Sequence, residues 1–221
     1  MINRESYETI NKELRDKNVT LVAVSKTKTV EDIQALYDLG QRDFGENYVQ
    51  ELVDKAAVLP QDIRWHFIGH LQGNKAKYIA PFVQLIHGVD SLKLLKEIDK
   101  QGAKCNRVID CLLQVYIADE ETKFGLEENE VEEVLKTGPF PNARIIGLMA
   151  MASFTVVTEK VRSEFKKVND IRSRLVAQGY HMPVVSLGMS SDYKIAIEEG
   201  STMVRIGSLL FGQRQSTHKR V

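Results

Sequence analysis

Residues 20–40, TLVAVSKTKTVEDIQALYDLG, hold one complete step of the fold. The run 20–25 is apolar and β-branched, which suits a short buried strand. Thr29 then has the character of a helix N-cap, with Glu31 and Asp32 in the first turn where the helix dipole favours anions. Ile33, Leu36 and Tyr37 follow at helical spacing, and Gly40 ends the pattern.

The same alternation recurs along the chain. Strand-like runs lie at 20–25, 43–46, 64–69, 85–89, 108–117, 144–149, 183–187 and 202–206. Helical patterns separate them at 31–39, 48–59, 91–101, 127–136, 159–177 and 192–199, with a fainter one at 74–82. Ser91 reads as an N-cap and Gly102 as a helix stop. Eight β–α steps in 221 residues predict a parallel α/β architecture. A single closed (β/α)8 TIM barrel fits the strand count and the length; a doubly wound open sheet is the rival. No low-complexity linker divides the chain, so residues 1–221 are read as one domain.

Lys plus Arg number 30, as do Asp plus Glu, so the net charge is zero. That balance gives no electrostatic case for nucleic acid or an anionic membrane. Residues 213–220 are mildly basic and read as a frayed terminus. The opening MINRESYETINKELRDK mixes charges and is no signal peptide. No stretch approaches the roughly 18 apolar residues of a membrane span. Cys105 and Cys111 lack metal or disulfide spacing and read as two reduced thiols. A cytoplasmic protein is expected.

Two lysines end the first strand. In a barrel, alternate side chains point inward, so Lys26 shares the direction of Val22 and Val24 at the strand's C-terminal end. Barrel enzymes carry their active sites on that face. Lys28 falls in the loop and reads as a solvated bystander. The bland reading of Lys26 is a snorkelling or ion-paired lysine. The chemical reading is a carbonyl-reactive amine. An ordinary lysine, with a pKa of about 10.4, carries roughly 4.6 kcal/mol of bias against the free amine at neutral pH. Desolvation lowers that bias, and imine formation changes the group outright.

Two later stretches suit a phosphate. Residues 186–192, SLGMSSD, place small residues and hydroxyls before a helix, and residues 204–208, VRIGS, add a glycine that allows close backbone approach. Loops after strands seven and eight are where barrels frequently bind phosphate. Either stretch alone could be an ordinary loop and cap.

The motifs VAVSKTK (22–28), FGENYVQE (44–51), WHFIGHLQGNK (65–75), GLMAMA (147–152) and SLGMSSDYKIAIEEGSTMVRIGSLLFG (186–212) resemble the pyridoxal 5′-phosphate (PLP) homeostasis proteins. These are single-barrel relatives of the alanine racemase N-terminal domain, with a fold like that of fold type III PLP enzymes. The resemblance spans residues 21–212. It implies that Lys26 holds PLP as an internal aldimine, a Schiff base. Ser190, Gly207 and Ser208 match phosphate-binding positions, with Ser191 beside them, and Arg205 matches the arginine facing the pyridine nitrogen. Asn47 rather than Tyr48 is implied as a cofactor contact. Lys123 matches a residue near the ring's phenolic oxygen and reads equally as a solvated loop lysine. Residues 151–154, Met-Ala-Ser-Phe, stand where the family commonly has a proline-containing loop, which bears on the shape of the entrance.

The implied role is PLP homeostasis: binding the cofactor, buffering it, and delivering it to apo PLP enzymes, with indirect effects on amino-acid metabolism and without robust catalysis. A guanidinium has only donors and cannot hold the pyridine nitrogen protonated, so the ring would stabilise a carbanion weakly. The racemases' second base comes from a C-terminal β-domain that this chain is expected to lack, and a monomer is expected. The alternatives are a PLP-dependent racemase, lyase or decarboxylase of low activity, or an aldolase using Lys26 without PLP. His66, His70 and His87 have no evident acid or cysteine partner and read as structural rather than zinc ligands, with His70 near the cofactor. Met149 and Met151 read as packing at the barrel mouth.

Overall fold

The computed structural model describes residues 2–117 and 124–212. Eight parallel strands close into one barrel in chain order. They are β1 (Thr20–Val24), β2 (Asp43–Glu46), β3 (Arg64–Phe67), β4 (Leu85–Val89), β5 (Ile109–Gln114), β6 (Ala143–Met149), β7 (Val184–Ser186) and β8 (Met203–Ile206). β8 pairs back onto β1, with Val22 opposite Arg205 and Ala23 opposite Ile206. Closure leaves no sheet edge, so the open-sheet rival is excluded.

The helices are α1 (Arg4–Asp16), α2 (Val30–Asp38), α3 (Val49–Val58), α4 (Ala76–Ile79), α5 (Leu92–Lys104), α6 (Glu128–Thr137), α7 (Thr158–Ala177), α8 (Tyr193–Glu198) and α9 (Ser208–Phe211). Thr29 and Ser91 cap α2 and α5, accepting from the amides of Asp32 and Leu94. Among the described residues, no helix is long and apolar enough to cross a membrane.

Strand side chains alternate in direction, so the barrel carries two cores. Val22, Leu85, Leu112, Met149 and Met203 pack together in the smaller one, inside the barrel. Ala23, Phe44, Phe67 and Ile86 join Leu36, Leu52, Leu95 and Phe165 of the helices in the larger one outside.

Three local features depart from the sequence pattern. Helix α5 does not stop at Gly102 but runs on to Lys104. That glycine is a packing residue, because a Cβ there would lie 2.5 Å from the Asn142 carbonyl oxygen. The mixed charges of the N-terminal segment hide α1, whose Tyr7, Ile10 and Leu14 form a buried stripe at helical spacing. The amide of Asn3 donates to the Leu210 carbonyl at 2.7 Å, tying α1 to α9. The fainter pattern at 74–82 becomes a 3-10 turn, Gly73–Lys75, followed by α4.

Two forked ion pairs bridge the strand starts. Arg64 grips Asp43 at 2.8 and 2.5 Å, and Arg144 grips Asp110 at 2.6 and 3.0 Å. Burial pushes the Asp43 carboxyl up, but hydrogen bonds from Arg64 and His66 outweigh it and bring the group down to about 2. A depressed carboxyl stabilises the fold above its unfolded pKa and loses that contribution as pH falls through the folded value. We expect Asp43→Asn to cost roughly 2 kcal/mol near pH 7, with the deficit closing between about pH 4 and pH 2. Urea midpoints of both proteins across that range check this; a deficit independent of pH would overturn it.

Candidate functional site

At the end of β1 the chain meets a buried charge cluster. The Ser25 hydroxyl donates to Glu46 Oε1 at 2.6 Å. Lys55 Nζ, from α3, donates to Glu46 Oε1 at 2.7 Å, to Glu51 Oε1 at 2.7 Å and to the Ser25 carbonyl at 2.8 Å. Glu51 Oε1 also accepts from the Thr27 amide at 2.6 Å. Thr27 sits at φ 63°, an uncommon setting for a β-branched residue. Both neighbours of Lys26 are therefore held from behind the strand. Burial raises the Glu46 carboxyl above its usual value, against the pull of Lys55. None of Lys55, Glu46 and Glu51 is singled out by sequence pattern; the two glutamates lie inside FGENYVQE, but nothing local to that motif names Lys55 as their partner.

In front of this cluster lies a cavity of about 450 Å³. Lys26, Asn47, Ser190, Ser191, Arg205, Gly207 and Ser208 all line it, brought together from the ends of β1, β2, β7 and β8. Asn47 Oδ1 is buried without a hydrogen-bond partner, an arrangement that costs about 1–3 kcal/mol and calls for a donor. Tyr48 instead turns to solvent, 60% exposed. The loops after β7 and β8 touch, since the Gly207 amide donates to Ser190 Oγ at 3.3 Å. Gly188, at φ 87°, allows the turn that starts the first of these loops. A Cβ there would meet Ala196 and Tyr193.

Arg205 is a buried cation. Its Nη1 donates to the Ser186 carbonyl and hydroxyl, both at 2.7 Å, and its Nη2 to the Ala150 carbonyl at 3.1 Å. Burial lowers its pKa to about 10, with Asp192 pulling the other way. The guanidinium stays charged at neutral pH.

Several expectations need correcting. Lys28 is not a solvated bystander. It lines the cavity, and its Nζ donates to the Phe211 carbonyl at 3.1 Å, because the end of α9 offers unpaired acceptors. His66 and His70 do have acid partners, Asp43 and Asp90, each at 3.0 Å. These acids lie 23 and 20 residues away, beyond the reach of local spacing. His70 stacks on Phe124 and lines the neighbouring cleft with Tyr48 and Lys75, rather than the Lys26 cavity. In the loop after β6, Met151 lines the cavity and Ser153 is held by Glu164. Met149 is buried inside the barrel. Lys123 and residues 213–220 lie outside the described residues. Among the described residues, no group of three His, Cys, Asp or Glu side chains is placed to hold a metal ion.

A sequence profile described as "Alanine racemase, N-terminal domain" matches residues 4–215. The pyridoxal phosphate homeostasis protein of Aquifex aeolicus (strain VF5) is 42% identical over 198 residues, 88% of this chain and 87% of that protein. The protein of that name from Escherichia coli (strain K12) is 37% identical over 211 residues, 92% and 89% of the two chains. PipY of Synechococcus elongatus PCC7942, in a structure with PLP bound, superposes with a TM-score of 0.87 at 32% identity, covering 94% of this chain and 99% of that one. An alanine racemase of Clostridium difficile 630 superposes at 0.75 with 14% identity, covering 98% of this chain and 59% of that one, and shares the fold alone. Fold and cavity together define a barrel of the alanine racemase N-terminal domain type. The chain belongs to the pyridoxal phosphate homeostasis protein family.

Lys55→Met would leave Glu46 buried without its cation. We expect a loss of roughly 3–5 kcal/mol in urea unfolding, largely recovered by adding Glu46→Leu. Equal costs for the single and double variants would overturn this account of the cluster.

Proposed function

We propose that this chain is a PLP-binding homeostasis protein that holds the cofactor on Lys26 and buffers or delivers it, with residues 1–221 acting as one PLP-binding domain. The observation that carries this reading is the convergence, in one cavity, of an amine, a buried guanidinium, an unpartnered amide oxygen and a pair of touching Ser/Gly loops. The volume lies within the range usual for small-molecule sites. The names of the relatives and the PLP-bound PipY structure support the same assignment.

PLP supplies an aldehyde that a primary amine captures covalently and reversibly, together with a phosphate and a ring nitrogen. Lys26 is the capturing amine. Ser190, Ser191, Ser208 and the Gly207 amide take the phosphate end, where backbone N–H groups and hydroxyls suit an anion. Arg205 takes the ring-nitrogen end and, having only donors, keeps a proton off that atom. Asn47 offers its free acceptor to a donor of the bound molecule.

The cavity favours a carrier over an enzyme. Among the described residues lining it, the titratable side chains are Lys26, Lys28 and Arg205; Lys28 is committed to the Phe211 carbonyl, and no histidine, tyrosine, cysteine or carboxylate lines the cavity. An arginine at the ring nitrogen also leaves a carbanion weakly stabilised. Reversible covalent capture suits release to apo PLP enzymes.

Two measurements test this. Purified protein loaded with PLP and reduced with borohydride should carry the label on Lys26, and Lys26→Ala should lose both the label and the visible absorbance. A label on another lysine would overturn the assignment. Loaded protein in deuterated water should exchange amino-acid α-protons no faster than free PLP at the same concentration. Exchange tenfold or more above that would favour a racemase.

A further inference from the structure

Beneath the cavity a hydrogen-bonded line of polar groups, most of them buried, runs from Asp43 to Arg205 through three side chains that do not line the cavity. Asp43 Oδ1 meets His66 Nε2 at 3.0 Å, and His66 Nδ1 meets His87 Nε2 at 2.9 Å. His87 Nδ1 meets Ser186 Oγ at 3.0 Å, and that oxygen accepts from Arg205 Nη1 at 2.7 Å. The line starts on β2, passes through β3 and β4, crosses the interior to β7 and ends on β8. His87 and Ser186 are fully buried, and His66 and Arg205 nearly so.

Its two ends dictate its direction. Arg205 can only donate, and an ionised Asp43 can only accept. Arg205 donates to Ser186 Oγ, so the serine proton is free to turn to His87 Nδ1. His87 must then carry its proton on Nε2 and donate to His66 Nδ1. His66 in turn carries its proton on Nε2 and donates to Asp43. Every contact is satisfied with both histidines neutral and both in the Nε2–H form. Adding a proton to His66 would set two N–H groups face to face at 2.9 Å unless His87 also switched its proton to Nδ1.

We propose that Asp43, His66, His87 and Ser186 form a one-way hydrogen-bond brace through the barrel that positions Arg205 at the ring-nitrogen end of the cavity. His66 and His87 are thus positioning residues, acting on the cofactor through Arg205. The charged groups bearing on the pair are Asp43 and Arg64 at one end, and Arg205 with Asp192 beyond it at the other. Burial, with the Arg205 charge adding to it, pushes His87 well below the usual imidazole range, which agrees with a neutral ring there. Brace geometry and direction stand on the protein alone; the consequence for the cofactor rests on the proposed PLP function.

The test has two arms. In the first, nitrogen-15 NMR of the full chain without PLP should show His66 and His87 both in the Nε2–H tautomer at neutral pH, as the bond directions require. An Nδ1–H tautomer of either ring would overturn the brace. In the second, His87→Leu removes both bonds, while His87→Gln can still donate from its amide and accept at its carbonyl. We expect His87→Leu to weaken PLP binding about tenfold, the scale of one hydrogen bond, and to alter the pH dependence of the bound cofactor's absorbance. His87→Gln should stay within about threefold and keep the wild-type pH profile. If Leu and Gln behave alike in affinity and pH profile, the brace does not position Arg205. Should His87→Leu fail to fold, the NMR arm and the Gln variant still decide. Failure of the wild-type chain to bind PLP would strike the proposed function while leaving the first arm's result intact.

Discussion

The site depends on an ion cluster that never enters the cavity. Lys55, Glu46 and Glu51 meet behind β1, and their bonds reach the Ser25 hydroxyl, the Ser25 carbonyl and the Thr27 amide. Taking such charges out of water costs several kcal/mol per ion, so a cluster of this kind is poor evidence for stability as such. Its consequence is geometric. A strand that delivers Lys26 to the cavity must stop at one residue and turn in one direction, and Thr27 is held at a positive φ there. Bonds on both sides of Lys26 impose that turn while leaving the side chain directed at the cavity.

The rest of the barrel is layered around the same requirement. Ion pairs bridge the strand starts, an apolar layer containing Val22 and Leu112 fills the middle, and a polar layer with His87, Ser186 and Arg205 lies beneath the cavity. Arg205 is fully committed on one side, to Ser186 and Ala150, and lines the cavity on the other. A guanidinium anchored in this way cannot swing aside when a ligand enters. Preorganised donors of this sort hold a molecule in one orientation.

Much of this was legible in the residues. The β–α alternation gave the eight parallel steps, because an amphipathic helix and a short buried strand each announce themselves over a few residues. Lys26 stood out because it continues the inward alternation of Val22 and Val24. The Ser/Gly loops stood out because small residues after late barrel strands suit an anion. Other features were not legible. His66 and Asp43, or Lys55 and the Ser25 carbonyl, are partners only because strand order and helix packing bring distant residues together. Lys28 looked solvated because its acceptors, at the end of α9, lie more than 180 positions away.

The sequence by itself determined eight β–α steps that a closed barrel fits, the strand that carries Lys26 and the two loops suited to an anion, since each follows from a local pattern of apolar, small and charged side chains, while closure of the sheet was settled by the pairing of β8 with β1. Tertiary structure alone decided which polar groups share a buried space. Lys55 faces Glu46, His87 faces Ser186 across the barrel, and Asn47 is left with an open acceptor. The physical reason is that a buried polar atom must find its partner wherever closure of the sheet places one, and closure joins residues that no window along the chain contains.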